Sequence, residues 1–384
     1  MFVWAMALRT IRMPKRILAV FGTRPEAIKM APVVKALQAN KAFEVIVAVT
    51  AQHRQMLDQV LELFSINPDY DLDIMSSGQT LEQITSRVVE GVSQIIKNIS
   101  PDIVLVHGDT TTSSASALAA FYNQVTVGHV EAGLRTGNIY SPFPEEMNRR
   151  ITGVLSSIHF APTEHNKRNL LNEGVDEASI FVTGNTVIDA LHMIVSDDYK
   201  FAPEVVDIER TKEKKLILLT CHRRENWGTP MHEIFSAIKD TVGNKEEYEI
   251  VYPVHLNPIV QAAAKEVFDG VKNIQLIQPL EYEAFSNLMN KAYLILSDSG
   301  GVQEEAPSLG KPVLVLRDTT ERPEALEAGT VKLAGNNYAQ VKEALDLVLS
   351  NERVYQAMAQ ARNPYGDGFA SKRISEVIID QNKE

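Results

Sequence analysis

Three carboxylates stand at the ends of apolar runs or in a proline-stiffened loop. They are Asp109 in Val-His-Gly-Asp-Thr-Thr-Thr (106–112), Glu131 after the run 125–130, and Glu145 in Ser-Pro-Phe-Pro-Glu-Glu (141–146). Carboxyl groups gathered around one ligand raise one another's pKa and divide acid from base work. Taken singly each also reads as a helix cap, Asp109 above all, because it precedes three threonines where a helix is predicted from about Thr110. A second constellation, Ser-Asp-Ser-Gly-Gly-Val-Gln-Glu-Glu (297–305), directly follows Ala-Tyr-Leu-Ile-Leu. A strand that stops there and restarts as a helix aims the N–H groups of Ser299, Gly300 and Gly301 at one point, which suits a phosphate. Arg24 and Arg322 can neutralise its charge, and Glu305 in the following helix can accept hydrogen bonds from a ribose. Capping or a surface ion pair is the ordinary role for Glu305 and Arg322.

His222, beside Arg223 and Arg224, reads as a phosphate or acid–base partner whose pKa the neighbouring positive charge keeps low. Its ordinary alternative is a buried, hydrogen-bonded core histidine. His107, His129, His222 and His255 lack the close spacing of zinc ligands, and the lone Cys221 builds no structural site, so no metal is expected. Cys221 ends a buried run and reads as a small hydrophobe without a catalytic role. No Gly-x-Gly-x-x-Gly follows the first strand and no Walker pattern occurs, so no dinucleotide cofactor is expected.

These residues sit on a repeated alternation of strands and helices. Arg16–Phe21, Val45–Val49, Asp102–Val106, Val125–Val130, Ile158–Ala161 and Ile180–Val182 read as strands, each leading into polar residues. Leu81–Ile99 carries Ile84, Val88, Val92, Ile95 and Ile99, a core-facing helical stripe. Pro32 is expected to kink or end the helix that follows Gly-Thr-Arg-Pro-Glu (22–26). The second half repeats the pattern, with strands at 216–219, 249–252, 294–296 and 312–316. At 384 residues the chain exceeds one ordinary core, so two α/β domains are expected, with polar strand ends facing a cleft. The expected boundaries are 1–13 as a disordered extension, 14–184 as the first domain with the carboxylates, 185–366 as the second, and 367–384 as a terminal helix packing back on the first. A net charge of −11, with one basic cluster at Lys212–Lys215 that reads as a solvated connector, argues against nucleic acid, no apolar run reaches membrane-spanning length, and one cysteine points to a reducing, cytoplasmic setting.

Six motifs together resemble the bacterial non-hydrolysing UDP-N-acetylglucosamine 2-epimerases. They are Phe-Gly-Thr-Arg-Pro-Glu-Ala (21–27), Val-His-Gly-Asp-Thr-Thr-Thr (106–112), His-Val-Glu-Ala-Gly-Leu-Arg (129–135), His-Arg-Arg-Glu (222–225), Asp-Ser-Gly-Gly-Val-Gln-Glu-Glu-Ala-Pro (298–307) and Arg-Asp-Thr-Thr-Glu-Arg-Pro-Glu (317–324). The resemblance implies two Rossmann-like domains facing a cleft in a glycosyltransferase-B-like α/β architecture, a homodimer, and interconversion of UDP-GlcNAc and UDP-ManNAc without a cofactor. It places Arg24, Lys29, His222, Phe285, Ser299, Gly300, Gly301, Glu305 and Arg322 on UDP, and Asp109, Glu131 and Glu145 with His222 in the catalytic group. It also links Gln52, Gln55, Arg223 and His255 to an activating second UDP-GlcNAc, although Gly78 stands where some members carry an arginine. The implied chemistry is elimination of UDP across C1 and C2 to 2-acetamidoglucal and its re-addition, serving cell-surface polysaccharide. The alternatives are a hydrolysing epimerase that releases UDP and ManNAc, a glycosyltransferase, and a silent sugar-nucleotide sensor.

Overall fold

The structure, a computed structural model, describes residues 13–51, 54–76, 78–202 and 205–380. The expected extension therefore lies, apart from Met13, outside the described residues, and so does Gln52. The chain divides into two compact units, residues 1–183 with 371–384, and Gly184–Ala370.

The first unit runs β1 (Lys15–Phe21), α1 (Arg24–Gln38), β2 (Phe43–Val49), α2 (Arg54–Leu63), β3 (Tyr70–Asp71) and α3 (Leu81–Ile99). It continues through β4 (Ile103–His107), α4 (Thr111–Tyr122), β5 (Thr126–Val130), α5 (Glu145–Leu155), β6 (Ile158–Ala161), α6 (Glu164–Asn172) and β7 (Ile180–Val182). All seven strands are parallel, in the order β3-β2-β1-β4-β5-β6-β7. Helices on both faces explain why β1 reads as one apolar run: Ile17 to Phe21 are wholly buried. The predicted stripe of α3 is real, with Ile84, Val88, Val92 and Ile95 packed among Leu18, Val20, Val104 and Val106, while Ile99 is half-buried. Full burial of each such side chain contributes about 1.5–3 kcal/mol.

Pro32 does not end α1 early; the helix runs on to Gln38. Ala27, Ile28, Met30, Ala31, Pro32, Val33, Val34 and Leu37 are all buried, and packing on that scale offsets the roughly 3 kcal/mol that an interior proline costs.

The second unit runs α7 (Thr186–Ile194), β8 (Lys215–Thr220), α8 (Thr229–Val242), β9 (Tyr248–Pro253), α9 (Pro258–Phe268), β10 (Ile274–Ile277), α10 (Tyr282–Lys291), β11 (Leu294–Ser297) and α11 (Gly300–Glu305). After these come β12 (Val313–Val315), α12 (Pro323–Glu327), β13 (Val331–Leu333), α13 (Tyr338–Ser350) and α14 (Glu352–Ala359). Its six strands are again parallel, in the order β10-β9-β8-β11-β12-β13. The final helix α15 (Ala370–Asp380) falls with the first unit from Ser371 onward, and its Arg373 donates to the carbonyl of Thr183 at 3.0 Å.

Both sheets reverse their winding at one point, between β1 and β4 in the first and between β8 and β11 in the second. Loops leaving neighbouring strand ends there diverge to opposite faces and leave room for a ligand. The motifs at 22–26 and 107–112 leave one switch point, and those at 221–225 and 298–301 leave the other. No helix among the described residues is long and apolar enough to cross a membrane, and no three metal-ligating side chains cluster among them.

Candidate active-site residues

At the first switch point the chain turns at Gly22, where a Cβ would lie 2.0 Å from Oγ1 of Thr50. Only glycine fits so close a neighbour. Three residues into α1, Glu26 is wholly enclosed and receives five hydrogen bonds. Its Oε2 accepts from the amides of Gly22 (3.1 Å) and Thr23 (2.8 Å) and from the Thr23 hydroxyl (2.8 Å). Its Oε1 accepts from the hydroxyls of Thr110 (2.6 Å) and Ser113 (2.9 Å). Glu26 thus clasps the β1–α1 turn to the β4–α4 turn that carries Asp109. Burial raises its pKa, against the lowering by these donors.

Asp109 does not cap α4, as its sequence position implies. Thr110 is the residue directly before the helix, and its hydroxyl accepts from the amide of Ser113 at 3.1 Å. Asp109, one residue too early, instead accepts from Nη2 of Arg149 on α5 at 2.5 Å. Burial pushes the Asp109 pKa up, the Arg149 guanidinium pulls it down, and Glu131 pushes it up again. Glu131 follows β5 with φ of +63°, a left-handed conformation that costs a non-glycine residue about 1 kcal/mol or more and that collects at functional positions. It forms an ion pair with Lys29, and His107 stands 3.9 Å from the same carboxylate oxygen. Burial drives His107 down to about 4, so that ring is neutral at pH 7. His129, driven by burial down to about 3, donates from Nε2 to the carbonyl of Gly108 (2.7 Å) and fixes the residue next to Asp109.

Glu145 opens α5 one turn before Arg149, and its Oε2 is buried without a hydrogen-bond partner. Its neighbour Glu146 is fully buried and accepts from the amides of Thr136 (3.0 Å) and Gly137 (3.4 Å) and from Arg149 (3.2 Å). It therefore moors the loop before α5, in which the Ser141–Pro142 and Phe143–Pro144 peptide bonds are cis. Asp109, Glu131 and Lys29 are brought together, and Arg149 links Asp109 to the helix of Glu145. Arg24, half-buried at the start of α1, forms no ion pair among the described residues.

At the second switch point Asp298, wholly buried after β11, reaches the loop after β8. Its Oδ2 accepts from the amides of His222 and Arg223 (both 2.8 Å) and from Asn226 (3.1 Å). The His222 ring is stacked on that of His255, centroids 5.4 Å apart. Its pKa is lowered chiefly by burial, raised by Asp298, and lowered to a lesser degree by His255 and Arg223. The sequence reading gave Arg223 too large a share. The amide of Ser299 is used internally, donating to Oγ of Ser297 at 3.0 Å, which leaves the amides of Gly300 and Gly301, in the first turn of α11, as the candidate phosphate donors. A Cβ on Gly300 would lie 3.6 Å from Nη2 of Arg223, 3.6 Å from Oε1 of Glu321 and 3.7 Å from Nη2 of Arg322, so two guanidinium groups and one carboxylate border this glycine.

Each arginine is held by acid. Arg322 pairs with the buried Glu304; Glu321 takes Arg317 at 2.5 Å and Arg223 at 3.1 Å. Burial works to raise the Glu321 pKa, but its own backbone amide and the two guanidinium groups bring it down to about 2. Glu305 accepts from the hydroxyl of Tyr282 at 3.0 Å, and half-buried Phe285 lies one turn further along the same helix. Arg223 and His255, read as activator contacts, therefore stand with the phosphate turn and with His222, whereas Gln55 is exposed on α2 in the other unit.

Sequence reasoning passed over Glu26, Glu146, Arg149, Asp298 and Glu304. Glu26 had a signal, since Thr-x-x-Glu at a helix start is a capping pattern. Arg149, four residues after Glu145 on a helix, had one as well.

The family model described as UDP-N-acetylglucosamine 2-epimerase matches residues 35–379. The UDP-N-acetylglucosamine 2-epimerase of Bacillus subtilis is 56% identical over 364 residues, covering 95% of this chain and 95% of that protein. That of Escherichia coli K12 is also 56% identical, over 370 residues, 94% of this chain and 98% of that protein. The crystal structure of the Neisseria meningitidis UDP-GlcNAc 2-epimerase bound to UDP-GlcNAc superposes with a TM-score of 0.82 at 50% identity, covering 95% of this chain and all of that one, 100%.

Proposed function

The chain belongs to the UDP-N-acetylglucosamine 2-epimerase family, and from that premise we propose that it interconverts UDP-GlcNAc and UDP-ManNAc by eliminating and re-adding UDP through 2-acetamidoglucal. The C2 hydrogen of the sugar is not next to a carbonyl, so its direct removal leaves an unstabilised carbanion. Departure of UDP from C1 as the proton leaves C2 avoids that species. The proton must then return to the opposite face, so the reaction needs more than one proton-transfer group.

The observation that carries this reading is the Asp109–Glu131 pair: two acids whose charges bear on one another, each with its own cation, Arg149 and Lys29. Such a pair shares base and acid work with Glu145. The amides of Gly300 and Gly301, Arg322, Arg24 and His222 hold the diphosphate as leaving group and returning nucleophile, with Glu305 on the ribose and Phe285 against the nucleoside. Stabilising developing charge on a leaving group is often the largest single contribution to catalysis.

A homodimer is part of this proposal. Met147, Ile151 and Val154 recur at i, i+4 and i+7 on α5 and are exposed, and α4, packed on α5, ends in exposed Phe121 and Tyr122. An apolar face of this kind supports a second copy as its partner. A cytoplasmic setting fits the single cysteine, and supply of ManNAc for surface polysaccharide belongs to the same proposal.

One NMR time course tests the reaction. UDP-GlcNAc alone in D2O should yield UDP-ManNAc carrying deuterium at C2. UDP with free ManNAc would make the chain a hydrolysing epimerase, product without solvent label would remove the elimination, and turnover only with an added acceptor would make it a glycosyltransferase.

A further inference from the structure

Asp298 uses its two oxygens unequally. Oδ2 takes three donors, the amides of His222 and Arg223 and the side chain of Asn226. Oδ1 is buried with no hydrogen-bond partner and stands 3.5 Å from Nδ1 of His222. A carboxylate that served only to hold the 221–226 loop would need one oxygen, and an asparagine carbonyl would do the same work. A buried, unpartnered second oxygen carries a desolvation cost that ordinary loop-holding does not explain.

We propose that Asp298 is the positioning residue of His222: its Oδ1 holds the proton on Nδ1, so that Nε2 is the ring nitrogen turned to the diphosphate. The His222 ring is bordered on two sides, at its Nδ1 edge by Oδ1 of Asp298, 3.5 Å away, and on one face by the His255 ring, 12° from parallel. Trp227 braces the same backbone by donating from Nε1 to the carbonyl of His222 at 3.1 Å. With Nδ1 facing the wholly buried acid, the opposite edge belongs to the exposed part of a side chain that is 39% accessible. The second task of the carboxylate follows from Coulomb's law: its charge favours the imidazolium, which donates from Nε2 to a departing phosphate oxygen. The charged and titratable groups facing the ring are Asp298, which favours the proton, and His255 and Arg223, which oppose it. The thiol of Cys221 also borders the carboxylate but stays protonated, its pKa pushed up by burial and by Asp298.

This inference rests on the proposed role of His222 toward the diphosphate, and its first test is independent of turnover. In 15N-histidine-labelled protein, neutral His222 should carry its proton on Nδ1; finding it on Nε2 in the unmutated chain overturns the proposal. Asp298→Asn keeps an acceptor for the loop and turns an amide N–H toward Nδ1. The proton should move to Nε2 and the pKa of His222 should fall. The kcat should drop by roughly 10- to 100-fold, with its alkaline limb at lower pH and with UDP affinity changed less. In a His222→Asn background the same substitution should cost almost nothing further. An equal loss in both backgrounds, or an unchanged tautomer in Asp298→Asn, overturns the proposal. The predicted tautomer in a chain that does not epimerise UDP-GlcNAc leaves the positioning role standing and sinks the reaction instead.

Discussion

In the first unit two acids stand at the switch point, each paired with a cation: Asp109 with Arg149, Glu131 with Lys29. In the second unit two arginines border Gly300, Arg322 paired with Glu304 and Arg223 paired with Glu321, whose carboxylate also borders that glycine. Both sheets wind alike and reverse at their centre, so the topology does not set this difference. The side chains at the strand ends do. One unit offers proton acceptors whose charge is tuned by partners; the other offers donors locked in place by partners. The proposed reaction, which moves a proton while releasing a diphosphate, needs one of each, and two α/β units of like winding differ in which side chains they set at the switch point.

The sharpest way to break that comparison is to remove function from each unit separately. Asp109→Asn should lower kcat by about 10²–10⁴-fold, the usual worth of a positioned proton-transfer group, while UDP binding by calorimetry stays near that of the unmodified chain. Arg322→Ala should do the reverse, weakening UDP first. If Asp109→Asn abolishes UDP binding, or Arg322→Ala leaves it intact, the division of labour between the units is wrong.

A smaller effect is expected at Glu26. Each oxygen of that carboxylate accepts hydrogen bonds, so Glu26→Gln must turn an N–H₂ group toward either the Gly22–Thr23 amides or the Thr110 and Ser113 hydroxyls. The cost should be about 1–3 kcal/mol, read as a lower melting temperature with faster hydrogen exchange in the first unit only. Loss of protection in the second unit, or none anywhere, would show that the clasp does not act as the geometry implies.

Much of this was legible in the sequence, and the limits have physical causes. Apolar runs ending in polar clusters gave the longer strands and placed Asp109, Glu131, Gly300 and Arg322 at their carboxyl ends. The strands β3, β10 and β13, two to four residues long, went unseen, because stretches that short carry little period to detect. Nor could sequence pair Lys29 with Glu131, 102 residues apart, or Arg149 with Asp109, 40 apart. Those contacts depend on which strands are neighbours in the sheet. Pro32 did not end its helix early, because burial along the whole helix outweighed a local rule.

The finest test asks which proton job Asp109 does. Arg149 lowers the pKa of Asp109 against the upward push of burial, so weakening that contact must raise it. Arg149→Lys keeps a positive charge but loses the fork that reaches both Asp109 and Glu146, while Glu146 retains Arg150 and the Thr136 and Gly137 amides. The expected rise is under about one pH unit, since the charge remains and the carboxyl is partly exposed. A base works only when deprotonated, so if Asp109 is the base in the forward direction, a higher pKa moves the acid limb of kcat/KM to higher pH. An acid works only when protonated, so if Asp109 is the acid, the same change moves the alkaline limb upward instead. Because kcat/KM reports the free enzyme, the limb that shifts identifies the role directly. Movement of neither limb would mean that Asp109 does not titrate in the reaction, leaving proton transfer to Glu131 and Glu145.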